Sequence, residues 1–145
     1  MDAILSGVSD PSVVIGRQGD QRRQLLYIED NPSNLTLVKW ILEREIDVDV
    51  ISAMRGRSGV DLAHDRQPEL IVLDLHLPDM SGEQVLECLQ ARPATRVIPV
   101  LVLSADTGGK RIARLLSLGV RDYLTKPLDI PHFLKVVTEN LKPRT

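Results

Sequence analysis

Leu70-Ile71-Val72-Leu73-Asp74 decides the fold: four consecutive apolar residues halted by a carboxylate, with Pro78 and Ser81-Gly82 punctuating the loop after it. A strand that is apolar on both faces must be covered on both, as a central strand of a parallel sheet is. Upstream, Leu25-Leu26-Tyr27-Ile28 is apolar and stops at Glu29-Asp30. Downstream, Val100-Leu101-Val102-Leu103 stops at Ser104, and the short Tyr123-Leu124-Thr125 stops at Lys126-Pro127. Between Asp47 and Val50, valine alternates with aspartate, which predicts a half-exposed strand near a sheet edge.

Helical periods fill the gaps. Asn31-Pro32 reads as an N-cap with proline in the first turn, ahead of Leu35, Val38, Ile41, Leu42 and Ile46. Residues 57–66 predict a modest helix weakened by Gly56 and Gly59. Ser81 and Gln84 have capping-box spacing before Val85, Leu86 and Leu89. A helix from about Gly109 turns Ile112, Leu115 and Leu116 inward and ends at Gly119, a C-cap glycine. Phe133, Val136, Val137 and Leu141 mark the last amphipathic helix.

Five strand-then-helix repeats require crossovers, and so an α/β fold with a parallel sheet and helices on both faces. With the two mixed strands, the second and fifth, at the edges, the expectation is a flavodoxin-like doubly wound (βα)5 fold of strand order 2-1-3-4-5. The domain takes residues 25–142. Residues 1–24, with Gly7, Pro11, Gly16 and Gly19, read as a flexible linker or leader, in which Val13-Val14-Ile15 is a strand candidate without a neighbour. Residues 143–145 read as a tail.

The 145 residues suit one domain of ordinary size, and 43% apolar with 26% charged residues is the composition of a globular chain. A formal net charge of −2 provides no basic field for a nucleic-acid backbone, so no direct nucleic-acid contact is expected. The scarce aromatics (Tyr27, Trp40, Tyr123, Phe133) argue against base stacking. Cys88, the single cysteine, excludes an intrachain disulfide and fits a reducing compartment. No apolar run approaches the roughly 18 residues of a membrane helix, and Met1-Asp2 lacks the basic start of a signal peptide. The expected location is cytoplasmic, with tethering to a membrane only through a larger protein.

The polar residues that stop the strands are the candidate site, since ligands of open α/β sheets bind beyond the carboxyl ends of the strands. Glu29, Asp30 and Asp74 are expected to converge there with Ser104 and Lys126. Three adjacent carboxylates call for a cation, and oxygen ligands favour Mg²⁺, or Mn²⁺ in its place. A lysine and a hydroxyl opposite it suit a transferring phosphoryl group, with a carboxylate as nucleophile. Alone, an Asp after a strand is more often a turn former; five such residues at four strand ends are not accounted for that way.

Tyr27-Ile28-Glu29-Asp30-Asn31, Leu70 to Asp74 with Pro78-Asp79-Met80-Ser81-Gly82, Leu103-Ser104-Ala105 and Tyr123-Leu124-Thr125-Lys126-Pro127 occur in order and at matching spacing. In these motifs the chain resembles the receiver domains of two-component response regulators. Asn31-Pro32-Ser33-Asn34 looks especially like the receivers of hybrid histidine kinases. The resemblance implies Asp74 as phosphoacceptor, Glu29 and Asp30 as the metal-binding pair, and the backbone carbonyl of His76 as a further metal ligand. It implies that Lys126, Ser104 and the backbone of Ala105 bind the phosphoryl group. Tyr123 would be an aromatic switch following Ser104, and Lys126-Pro127 a cis bond.

The implied partners are a histidine kinase or histidine phosphotransfer protein, with downstream docking on the face of the fourth helix, fifth strand and fifth helix. No membrane contact is implied. The chain would be a signalling phosphoacceptor, not a turnover enzyme, and either stand-alone or cut from a hybrid kinase. His76 and Asp106 are candidates for tuning the phosphoryl lifetime, against the plain alternative of a solvated loop histidine. His64 and His132 read as surface residues, Cys88 as packing, Trp40 as packing at the stripe's edge, and Lys110, Arg111 and Arg114 as a solvated helix face. Two other functions compete. A haloacid dehalogenase-type phosphatase would need an acid where His76 stands, and a docking scaffold without phosphorylation would not need the complete polar set.

Overall fold

The computed structural model describes residues 23–105 and 108–142. Along the chain lie β1 (Arg23–Ile28), α1 (Pro32–Glu45), β2 (Val48–Ala53), α2 (Gly56–Arg66), β3 (Leu70–Asp74) and α3 (Gly82–Gln90). A single helical turn (Pro93–Arg96) comes next, then β4 (Val100–Ser104), α4 (Gly109–Ser117), β5 (Asp122–Thr125) and α5 (Ile130–Asn140). The strands form one parallel sheet of order β2-β1-β3-β4-β5, the expected doubly wound arrangement. The leader candidate Val13-Val14-Ile15 and the tail at 143–145 lie outside the described residues.

Strand alternation sorts the core into two layers. Leu26, Ile28, Ile71, Leu73, Val100 and Val102 face α2, α3 and α4. Leu25, Tyr27, Leu70, Val72, Leu101 and Leu103 face α1 and α5. The helix starts are built as their residues dictate. The Asn31 side chain accepts from the Asn34 N–H at 3.0 Å, and Ser81 with Gln84 closes a full capping box. Gly119, at φ 95°, ends the α4 segment in the left-handed region.

Several local expectations need correction. β1 starts at Arg23, two residues before Leu25, because Arg23 and Gln24 already pair with Val48 and Asp49. β2 does lie at the sheet edge, but it is buried throughout, Asp49 included. An edge strand is open only in the plane of the sheet, and helices cover both its faces. Leu116 is about half exposed, and Leu115 alone carries the buried contact of α4. Trp40 stands out from α1 with the Arg44 guanidinium 5.0 Å from its ring centroid. Arg111 is no solvated residue: it forms an ion pair with Glu83 at 3.0 Å, joining α4 to α3. Gly59, read as a weak point, lets α2 lie against β1, since a Cβ there would come within 2.5 Å of Ile28 Cδ1.

Candidate functional site

The carboxyl ends of β1, β3, β4 and β5 meet at one edge. Glu29 follows β1, with its N–H donated to the Ala53 carbonyl at 3.0 Å. Asp74 ends β3 and Ser104 ends β4, opposite Thr125 in the register. The Lys126 N–H donates to the Ser104 carbonyl at 3.0 Å, which delivers the lysine side chain to the same edge. Glu29, Asp74 and Ser104 are all buried, a concentration of polar groups that a core holds only when they are mutually satisfied.

Lys126 supplies that satisfaction for the two acids. Its ammonium donates to Asp74 Oδ2 and lies 3.5 Å from Glu29 Oε1. The other Asp74 oxygen accepts the His76 backbone N–H at 2.7 Å, so the carboxylate is held from both sides. Glu29 accepts the Tyr27 hydroxyl at 2.8 Å on Oε1 and the Asn31 N–H at 3.2 Å on Oε2. Burial pushes the Glu29 carboxyl above its ordinary range, and the charge of Asp74 adds to the rise. Burial alone would lower the Lys126 ammonium, but the hydrogen bond to Asp74 and the charges of Asp74 and Glu29 outweigh it and raise the group.

Asp30 and Ala105 are exposed at this edge, and so is the His76 side chain, whose backbone bridges to Ser81. Tyr123 is half-buried on β5, packed on the layer that includes Val102, its register partner. The Lys126-Pro127 bond is cis. Asp106 lies outside the described residues. His64 and His132 are exposed on α2 and α5, and Cys88 is partly buried on α3.

Two acids against one lysine leave an excess of negative charge borne by oxygen donors alone, a set that suits a hard divalent cation. The expected convergence of three acids on one ion is nevertheless not present as a formed cage. Among the described residues no three His, Cys, Asp or Glu side chains are grouped to hold a metal. Tyr27 and Asn31 hold the Glu29 carboxylate in place at this edge, and it is the Lys126 ammonium that stands between Glu29 and Asp74.

Two contributors escaped the sequence reading. Tyr27 and Glu29 share a strand face at i and i+2, a signal that was available. Asp79 accepts the N–H groups of Gly56 at 2.8 Å and Arg57 at 2.9 Å. It thereby caps α2, whose own N-cap residue Arg55 makes no side-chain bond, and pins the loop after Asp74. That contact spans 23 residues and has no local signature.

Comparison with known proteins finds related sequences and the same fold. The chain is 32% identical over 117 residues to the sensor protein GacS of Pseudomonas syringae pv. syringae, a match covering 79% of this chain and 13% of GacS. It is 29% identical over 119 residues to the polar-differentiation response regulator DivK of Brucella anthropi, covering 82% of this chain and 96% of DivK. Among solved structures, the signal receiver domain of a putative Luxo repressor protein from Vibrio parahaemolyticus matches with a TM-score of 0.76 at 29% identity. That match covers 82% of this chain and 89% of the other. The chemotaxis response regulator CheY4 of Vibrio cholerae shares the fold, with a TM-score of 0.77 at 21% identity, over 83% of this chain and 100% of that one. The family described as the response regulator receiver domain matches residues 25–138, and the chain belongs to that family, the receiver modules of two-component signalling.

Proposed function

We propose that this chain is a phosphoacceptor in a two-component phosphorelay. A histidine kinase or histidine phosphotransfer protein presents phosphohistidine, and a carboxylate oxygen of Asp74 forms the new O–P bond as the P–N bond breaks. The electron pair returns to the imidazole. The observation that carries this reading is the buried Asp74 at the end of β3, gripped by Lys126 on one oxygen and by the His76 N–H on the other. Lys126 supports the charge that spreads over the phosphoryl oxygens, and Ser104 with the Ala105 N–H binds the group once formed.

Glu29, Asp30, Asp74 and the His76 carbonyl are the residues that would hold Mg²⁺ or Mn²⁺, which when bound neutralises negative charge on the phosphoryl oxygens. Phosphorylation then biases Ser104 and Tyr123 toward a signalling arrangement that a downstream protein reads on the α4, β5 and α5 face. His76 and Asp106 set the lifetime of the acyl phosphate. Self-phosphorylation and self-hydrolysis are the whole of the chemistry, with no turnover of a separate substrate, and the module works in the cytoplasm. Against a haloacid dehalogenase-type phosphatase stands His76, whose side chain is exposed two residues after Asp74 where that chemistry needs an acid.

Incubation with acetyl phosphate and Mg²⁺ tests the reading: one phosphate of added mass on the wild type and none on Asp74→Asn. Labelling that survives Asp74→Asn sinks the assignment, and no labelling of the wild type favours a docking scaffold.

A further inference from the structure

Tyr27 is the part of this edge that the phosphoryl chemistry does not use. Its ring packs in the α1 and α5 layer with Val38 and Phe133, where a phenylalanine would fill the same space. The hydroxyl is what distinguishes it, and a buried hydroxyl must have a partner. Its partner is Glu29 Oε1, at 2.8 Å, while the Asn31 N–H holds Oε2 at 3.2 Å. Lys126 approaches the same Oε1 to 3.5 Å but is bonded to Asp74.

We propose that Tyr27 is a positioning residue for cation binding: its hydroxyl fixes the Glu29 carboxylate at the edge and satisfies Oε1, leaving Lys126 on Asp74. The inference rests on the reading of Glu29 as a metal-holding residue. Without the hydroxyl, Glu29 turns toward Lys126 for its missing partner. The carboxylate a cation should meet is then neutralised by the lysine, and Asp74 loses part of its hold on the ammonium.

The test is Mn²⁺ binding, read from the electron paramagnetic resonance of the free ion, on the full chain and on Tyr27→Phe. Val136→Ala, in the same core layer but without a polar link to the edge, serves as the packing control. Tyr27→Phe should weaken Mn²⁺ binding about 10-fold, the scale on which partners of metal ligands act. Val136→Ala should leave it unchanged. In a Glu29→Gln background the Tyr27→Phe change should have no further effect, because its route to the ion is gone. Wild-type affinity in Tyr27→Phe, equal weakening by Val136→Ala, or additive loss in the double variant overturns the inference while leaving the metal reading intact. A wild-type chain that binds no Mn²⁺ overturns the metal reading itself.

Discussion

Two pairs of carboxylates flank the loop after β3, and they are built on opposite terms. Glu29 and Asp74 are buried and share a single lysine. Asp79 and Glu83 lie nearer solvent, and each has its own donors: two backbone N–H groups for Asp79 and the Arg111 guanidinium for Glu83. The directions of titration differ accordingly. Burial, with the charge of Asp74, raises Glu29 further than its hydrogen bonds and Lys126 lower it. For Asp79 and Glu83 the burial effect is outweighed by the donors, and both carboxyls fall below their ordinary range. One pair ties neighbouring elements together; the other concentrates negative charge around a single lysine.

Removing the shared cation breaks the contrast most severely. Lys126→Ala leaves two buried carboxylates without it and should lower stability in urea unfolding by about 1–3 kcal/mol at pH 8. The loss should shrink toward pH 5, since Glu29, already raised, takes up a proton and relieves the repulsion. In the wild type the raised Lys126 contributes in full below its ordinary value of 10.5, and that contribution fades only as pH climbs through the raised one. Equal losses at both pH values would mean that the two acids do not compete for the lysine.

Asp79→Ala comes next, with about 1 kcal/mol lost, as for other helix caps. Because the folded-state carboxyl is depressed, its contribution is present above the ordinary value of 3.8 and disappears as pH falls through the depressed one. Wild type and variant should therefore converge in stability only in strong acid; a gap that persists there would point to packing instead of charge. Asp74→Asn should move the other way. It removes the repulsion with Glu29, so thermal unfolding should show unchanged or higher stability. A clear loss would put Asp74 among the structural acids. Smallest is Glu83→Gln, expected to cost about 0.5 kcal/mol and to matter less at high salt. A larger effect, insensitive to salt, would make the α3–α4 bridge part of the core.

Distance along the chain decides which features are legible before folding. Apolar runs that end abruptly at Glu29, Asp74, Ser104 and Lys126 announce both the parallel sheet and the edge where its polar residues gather, since strand ends are local features. Asp49 misled because alternation reports which residues are polar, not which faces the helices will cover. Gly59 and Arg111 misled for a related reason. The close approach of α2 to Ile28 and the reach of Arg111 to Glu83 exist only after elements distant in sequence have packed. Within the site, the grip of Lys126 on Asp74 is a consequence of strand order alone. The tether of Glu29 to Tyr27 needed the further step of asking which neighbours on one strand share a face.

Asp74, and no other acid at this edge, is assigned the phosphoryl group. Borohydride reduction of the acetyl phosphate-treated chain, followed by peptide mass spectrometry, addresses that assignment at the level of the single residue, because reduction of an aspartyl phosphate leaves homoserine at the modified position. Homoserine is expected at position 74, with Glu29 and Asp30 unmodified. A reduced residue at either of those acids, or intact Asp74 in a chain that has gained phosphate, would refute the assignment.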